Sequence, residues 1–109
     1  MLETQKIPYA LGIDVGSTTV KTVLLTEMGE VLCSSYERHF SKVRETVCTK
    51  LASLAQEYPD VHLRVSITGS AGLGLAQAAG LPFVQEVHAA FLAVKRRYPE
   101  ADVVIELGG

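Results

Sequence analysis

The sequence lacks several features that define specialised protein classes. It contains no tryptophan and only two cysteines, and its net charge is −2. Two cysteines are too few for a disulfide framework. Without an excess of positive charge, the chain has no general attraction for nucleic acid or anionic membranes. Its first residues show no basic segment followed by an apolar one, so no secretory signal is expected. We therefore expect a cytoplasmic protein that binds neither nucleic acid nor membrane.

One stretch lacks charge altogether and is long enough to suggest a membrane span. It runs from residue 65 to residue 85, but several glycines and Pro82 interrupt it. A span is therefore not expected. With 48% hydrophobic and 20% charged residues in 109, the composition is typical of one globular domain with a core of modest size.

Hydrophobic periodicity predicts the element order β-β-β-α-β-α-β-α-β. The predicted strands cover residues 9–15, 20–26, 31–38, 61–67, 81–84 and 101–107. The first helix is predicted between Ser41, its expected N-cap, and Pro59, with Phe40 as a hydrophobic staple. Two further helices are predicted at 71–79 and 86–98. This order favours an α/β, ribonuclease-H-like domain, with a five-stranded mixed sheet in the order 3-2-1-4-5 and flanking helices.

The domain boundary is predicted near residue 100. Residues 1–99 are expected to form this first domain, and residues 100–109 to form the first strand of a second one. Because the sequence ends on an apolar strand, we interpret the chain as a truncated piece of a longer protein. An unpaired strand at 103–107 is expected to seek a substitute partner.

A glycine-rich bend between the first two predicted strands carries the main functional signal. Asp14 ends the first strand, and Gly16 lets the backbone turn without a Cβ in the way. Ser17 and Thr18 add hydroxyls and backbone N–H groups, and Lys21 adds a cation. An acid, a bend of N–H donors and a lysine suit a nucleotide's phosphates and Mg²⁺. An ordinary hairpin turn is the alternative, since Asp, Gly and Ser all favour turns.

Two further glycine-rich stretches repeat parts of this pattern. Near the end of the sequence, Glu106 follows an apolar strand and precedes Gly108 and Gly109. Gly69 and Ser70 follow the fourth predicted strand, where the N–H groups at the next helix start could face a phosphate. Close packing of the helix against the strand explains this second stretch equally well.

Three segments together resemble the BadF/BadG/BcrA/BcrD ATPase family. This family belongs to the superfamily of actin, the Hsp70 chaperones and the sugar kinases, whose first phosphate motif matches residues 12–21. The segments are LGIDVGSTTVKTVLL, SITGSAG and FVQEVHAAFLAVKRRYPEADVVIELGG. The resemblance implies an ATPase, usually homodimeric, that activates a 2-hydroxyacyl-CoA dehydratase or a benzoyl-CoA reductase. In such a protein, ATP hydrolysis drives an electron from a [4Fe–4S] cluster into the partner enzyme.

The resemblance also implies roles for individual residues. Asp14 would hold Mg²⁺ through water, and Gly16, Ser17 and Thr18 would contact the phosphates of ATP. Lys21 is a weaker correspondence.

At the end of the sequence, Glu106 stands where the superfamily usually has aspartate, which moves the second catalytic carboxylate by one methylene. The family's cluster cysteines are expected beyond Gly109, since neither Cys33 nor Cys48 matches them. His88 matches a His-Ala pair of the family, although a structural role is the simpler explanation. With most of the second domain missing, the chain alone is expected to bind ATP weakly or not at all.

Other functions remain open from the sequence. A sugar or carboxylate kinase of the same superfamily would share the first motif. A ribonuclease-H-like nuclease would need several carboxylates around two metals, yet the fourth predicted strand ends in Thr68-Gly69-Ser70 without an acid. A non-catalytic assembly module with an actin-like fold is a further alternative.

Overall fold

The computed structural model describes residues 7–85 together with Arg96 and Glu100. The elements in this part follow the predicted order, with bounds that differ from the expected ones by a few residues at most. They are β1 Ile7–Val15, β2 Thr19–Leu25, β3 Val31–Arg38, α1 Val43–Glu57, β4 Val61–Thr68 and α2 Leu73–Ala79. The predicted helix at 86–98 and the predicted strand at 101–107 lie outside the described residues.

The strands form one mixed sheet in the order β3-β2-β1-β4. Short turns join β1 to β2 and β2 to β3, and both pairs are antiparallel. The longer connection through α1 brings β4 back beside β1, where the two strands run parallel. The carboxyl ends of β1 and β4 therefore lie at the same edge of the sheet, next to the bend between β1 and β2.

The prediction of a fifth strand at 81–84 is wrong, and the sheet formed by the described residues has four strands. The segment at 81–84 contributes a single parallel bridge between Ile67 and Phe83. Ile67 donates its N–H to the carbonyl of Pro82 over 3.0 Å, and Val84 donates to the carbonyl of Ile67 over 2.9 Å. Because Pro82 has no N–H, this short segment has too few donors to extend a ladder.

The core lies between one face of the sheet and the two helices. Alternate residues of β1 and β2 are buried there, as the period of two predicts. In α1, Val47 and Leu54 are buried, and Val43, Leu51 and Tyr58 pack against the core, which confirms the predicted apolar face. The buried hydrophobic side chains are Leu11, Ile13, Val15, Val20, Leu24, Val47, Leu54, Ile67 and Ala76.

The predicted start of the first helix is wrong. Its N-cap is Lys42, and no side chain caps the helix. Ser41 has a left-handed backbone (φ 63°), and its N–H is donated to Nδ1 of His39 over 3.1 Å. Phe40 does not staple the helix, because its side chain is 73% exposed and lies under the guanidinium of Arg38.

Two predicted glycine positions are confirmed. Gly29 has a φ of 83° in the turn between β2 and β3, and Gly80 has a φ of 67° at the end of α2. Both positions need a left-handed backbone, which glycine adopts without steric cost. Neither helix of the described part is long and apolar enough to cross a bilayer.

Candidate functional site

The bend between β1 and β2 is open at its tip. The N–H of Gly16 donates to the carbonyl of Thr19 over 2.9 Å and closes the hairpin. Ser17 and Thr18 are exposed. Within residues 7–85, no backbone carbonyl accepts a hydrogen bond from the N–H of Ser17 or of Thr18. Two backbone donors and two hydroxyls are therefore available at this bend for a ligand.

Gly16 is not needed for the turn itself, contrary to the expectation from the sequence. Its φ is not positive. A Cβ added there would lie 3.6 Å from the carbonyl oxygen of Thr19 and 3.7 Å from its Oγ1, which are ordinary contacts. Close approach of a ligand to the backbone is the other common reason for glycine at such a position. Backbone strain therefore does not explain why position 16 is a glycine, and close approach of a ligand remains as the explanation.

Three polar residues form a row across the sheet just below the bend. Asp14 of β1 is in register with Lys21 of β2 and with Thr68 of β4. Residues directly opposite each other on neighbouring strands point to the same face of the sheet. All three line an open cavity of about 560 Å³. Lys21 is also in register with Tyr36, and its Nζ lies 5.6 Å from the centre of that ring.

Thr68 is a site residue that the sequence did not indicate. Its Oγ1 is buried and has no hydrogen-bond partner among the described residues. Leaving a buried hydroxyl without a partner typically costs about 1–3 kcal/mol. Its register opposite Asp14 makes Thr68 a candidate ligand residue. Only the pairing of β1 with β4 shows this, because the two residues are 54 positions apart in the sequence.

A second glycine bend, residues 69–72, packs directly on the end of β1. Gly69 has a φ of 103°, and a Cβ added there would lie 2.5 Å from Oδ1 of Asp14 and 2.6 Å from the nitrogen of Val15. Ala71 donates its N–H to the carbonyl of Val15 over 2.9 Å. The two glycine-rich bends therefore meet around Asp14.

Close packing accounts for Gly69 and for two of the N–H groups in the second bend. Gly69 is required by close packing, and the N–H of Gly72 is donated to the carbonyl of Gly69 over 3.1 Å. The N–H groups of Ala71 and Gly72 are thus engaged within the chain and do not face a ligand. Ser70 is exposed and remains the candidate binding residue of this bend.

The described residues fit a magnesium–phosphate group but not an iron–sulfur cluster. Mg²⁺ is usually held by one or two carboxylates together with substrate phosphates and water. Asp14 supplies one carboxylate, and the unpartnered hydroxyl of Thr68 lies in register with it. A [4Fe–4S] cluster is held by cysteine thiolates that converge on one site, whereas Cys33 lies in β3 and Cys48 in α1, and the described residues form no group of three or more metal-binding side chains. Glu106, Gly108, Gly109 and His88 lie outside the described residues.

Comparison with known proteins supports the fold at a coarse level. Neither a family model nor a curated protein matches the sequence. Among solved structures, the chain is similar to a ROK family transcriptional regulator, a homologue of the E. coli Mlc protein, with a TM-score of 0.63 and 18% identity. The match covers 90% of this chain and 33% of the other, so the chain spans about a third of that protein's length. At this level of identity the likeness shows that the two chains share a fold.

Proposed function

We propose that this chain is a phosphate-binding domain for a magnesium-bound nucleotide. One observation carries the proposal: the register that places Lys21, Asp14 and Thr68 in one row directly below an open glycine bend. In an open α/β sheet, ligands bind at the carboxyl ends of the strands. The row and the bend occupy that edge, and the bend's donors are of the kind that bind phosphate oxygens.

Each residue has a distinct part in this proposal. The N–H and hydroxyl groups of Ser17 and Thr18 donate hydrogen bonds to phosphate oxygens, and the ammonium of Lys21 offsets their charge. Asp14 holds the hydrated Mg²⁺, and Thr68 donates or accepts a hydrogen bond in the ion's water shell. When bound, the ion neutralises charge on the phosphates. The domain supplies orientation and charge, and ATP is the nucleotide expected from the motif.

Two more specific functions are compatible with this proposal, and they differ in the reaction for which ATP is used. Activation of a CoA-ester dehydratase or reductase is supported by the three resembling sequence segments. A sugar or carboxylate kinase is supported by the structural likeness to a ROK family protein. In a longer protein containing this domain, bound iron and acid-labile sulfide would favour the first, and transfer of labelled phosphate from ATP to a sugar or carboxylate would favour the second.

Gly16→Ala is expected to separate ligand binding from folding. A Cβ at this position makes only ordinary contacts in the free chain, so the free energy of unfolding should change by less than about 0.5 kcal/mol. The same methyl group would stand where phosphate oxygens approach the backbone. Affinity for Mg–ADP, measured by NMR titration at millimolar ligand, should fall by about tenfold or more, which is about 1.4 kcal/mol.

Gly74→Ala provides the matched control for this titration. Gly74 lies in α2, outside the lining of the cavity below the bend, and a Cβ added there meets nothing within 4 Å. This variant should bind Mg–ADP as the unaltered chain does. Equal affinity in all three proteins, or no binding by any of them, would overturn the proposed function.

A further inference from the structure

The connection between β3 and α1 folds back onto the bend that follows β1. At its centre is His39, whose side chain is only 5% exposed. The ring atom Nε2 lies 3.0 Å from the carbonyl oxygen of Gly16. The backbone N–H of the same histidine donates to the carbonyl of Thr18 over 3.0 Å. His39 therefore contacts the carbonyl oxygens of both neighbours of Ser17, those of Gly16 and Thr18.

The contacts of the ring indicate which of its nitrogens carries the proton. A carbonyl oxygen only accepts hydrogen bonds, so Nε2 of His39 must carry the proton that it shares with Gly16. The N–H of Ser41 donates to Nδ1 over 3.1 Å, so Nδ1 must be unprotonated. The two hydrogen bonds therefore place the ring proton on Nε2 and engage both nitrogens.

The backbone around the ring is shaped to make this arrangement. Phe40 and Ser41 both have positive φ, at 48° and 63°, and residues other than glycine rarely adopt this conformation. The two left-handed residues turn the chain so that the N–H of Ser41 reaches the ring of His39. Such local strain persists only where surrounding contacts impose it, and it occurs preferentially near functional sites.

Because the peptide bond is planar, the hydrogen bonds from His39 to carbonyl groups of the bend also orient the N–H groups that follow them. In a trans peptide the C=O and the following N–H point in opposite directions. Fixing the carbonyl of Gly16 towards His39 therefore turns the N–H of Ser17 away from it. The same geometry holds for the carbonyl of Thr18 and the N–H of Thr19. The histidine thus fixes the directions in which these donors point.

We propose that His39 is a positioning residue of the phosphate site, which holds the bend so that the N–H of Ser17 faces the ligand. This inference rests on the proposed function for its ligand, but the positioning itself is a property of the free chain. The histidine touches the carbonyl side of the bend, and it acts through the peptide groups rather than through contact with a phosphate.

A set of three substitutions tests this role. In H39Q the amide nitrogen can reach the position of Nε2 and donate to Gly16, whereas in H39N the shorter side chain can replace only Nδ1 as the acceptor for Ser41. H39L fills the space and makes neither bond. The readouts are affinity for magnesium pyrophosphate and amide hydrogen exchange in the free chain at Gly16 and at residue 39, whose N–H groups donate to the carbonyls of Thr19 and Thr18.

We expect exchange and affinity to depend on whether the side chain at position 39 can still donate a hydrogen bond to Gly16. H39Q should keep exchange rates and affinity within about twofold of the unaltered chain. H39N, which loses the bond to Gly16, should show exchange rates and dissociation constants raised by roughly fivefold to tenfold, as expected for one lost hydrogen bond. H39L, which loses both ring bonds, should show increases at least as large. A merely structural role would give affinities that follow global stability, with H39N and H39Q alike, and that result would overturn the proposal.

A measurement on the unaltered chain covers the case in which the variants do not fold. Long-range proton–nitrogen NMR spectra should show the ring proton of His39 on Nε2, and a ring that carries its proton on Nδ1 instead would contradict the proposal. If the exchange pattern holds but pyrophosphate does not bind any of the proteins, the positioning stands and the proposed function fails.

Discussion

Gly69→Ala is expected to destabilise the folded chain by about 3 kcal/mol or more. Two effects add at this position. The backbone φ of 103° is strained for any residue with a Cβ, and the added atom would lie 2.6 Å from the nitrogen of Val15 and closer still to its carbonyl oxygen. These neighbours are backbone atoms of a buried strand, so they cannot move aside as a flexible side chain would. Urea unfolding followed by circular dichroism measures the loss.

Gly74→Ala is the control for this substitution. Gly74 lies inside α2, and a Cβ added there meets nothing within 4 Å. Gly74 is the second residue of α2, so alanine should gain at most the roughly 0.5–1 kcal/mol that it gains over glycine in a helix interior, and this variant should be no less stable than the unaltered chain. A loss below about 1 kcal/mol for Gly69→Ala would mean that the second bend does not pack on β1 as described.

Asp14→Asn is expected to remove most of the magnesium dependence of phosphate binding. The amide has the same shape as the carboxylate but no charge, so it cannot hold a hydrated Mg²⁺ with the same strength. Charged hydrogen bonds contribute about 1.5–3 kcal/mol, which corresponds to a roughly tenfold to hundredfold weaker affinity for Mg–ADP. Titrations of ADP with and without Mg²⁺ should converge in this variant and differ in the unaltered chain.

Asp60→Asn removes a carboxylate of the same kind from the opposite end of the sheet. Asp60 is exposed and directly precedes β4, whereas the site lies at that strand's carboxyl end. Its titrations should match those of the unaltered chain. If both variants lose affinity equally, net charge rather than a specific magnesium site is responsible, and the role assigned to Asp14 is wrong.

Much of the fold follows from local patterns. The alternation in β1 and β2, the spacing of Val47 and Leu54 in α1, and the left-handed glycines at positions 29 and 80 all predict what the structure has. These features depend on residues close together in the sequence. The sheet order β3-β2-β1-β4 also follows, because short turns and one helical crossover allow few arrangements.

The features that sequence patterns did not predict depend on contacts between distant segments. Ser41 is suited to cap a helix, but its backbone is left-handed and its N–H is donated to the ring of His39, which itself bonds the distant Gly16, so the N-cap falls one residue later, at Lys42. The pairing of Thr68 with Asp14 needs the register of β1 and β4. Gly16, predicted to be needed for the turn, could carry a Cβ with only ordinary contacts. Gly69, for which the sequence left two explanations open, has a backbone conformation that residues with a Cβ rarely adopt.

The central claim is that the bend at residues 16–19 and the row beneath it bind phosphate. Its most direct test is an NMR titration of the isotopically labelled chain with magnesium pyrophosphate, which carries no base or sugar. We predict that the largest amide shifts fall at Ser17, Thr18, Lys21 and Ser70, and that Asp14→Asn suppresses them. Shifts scattered over the surface, or unchanged spectra at millimolar ligand, would contradict the account.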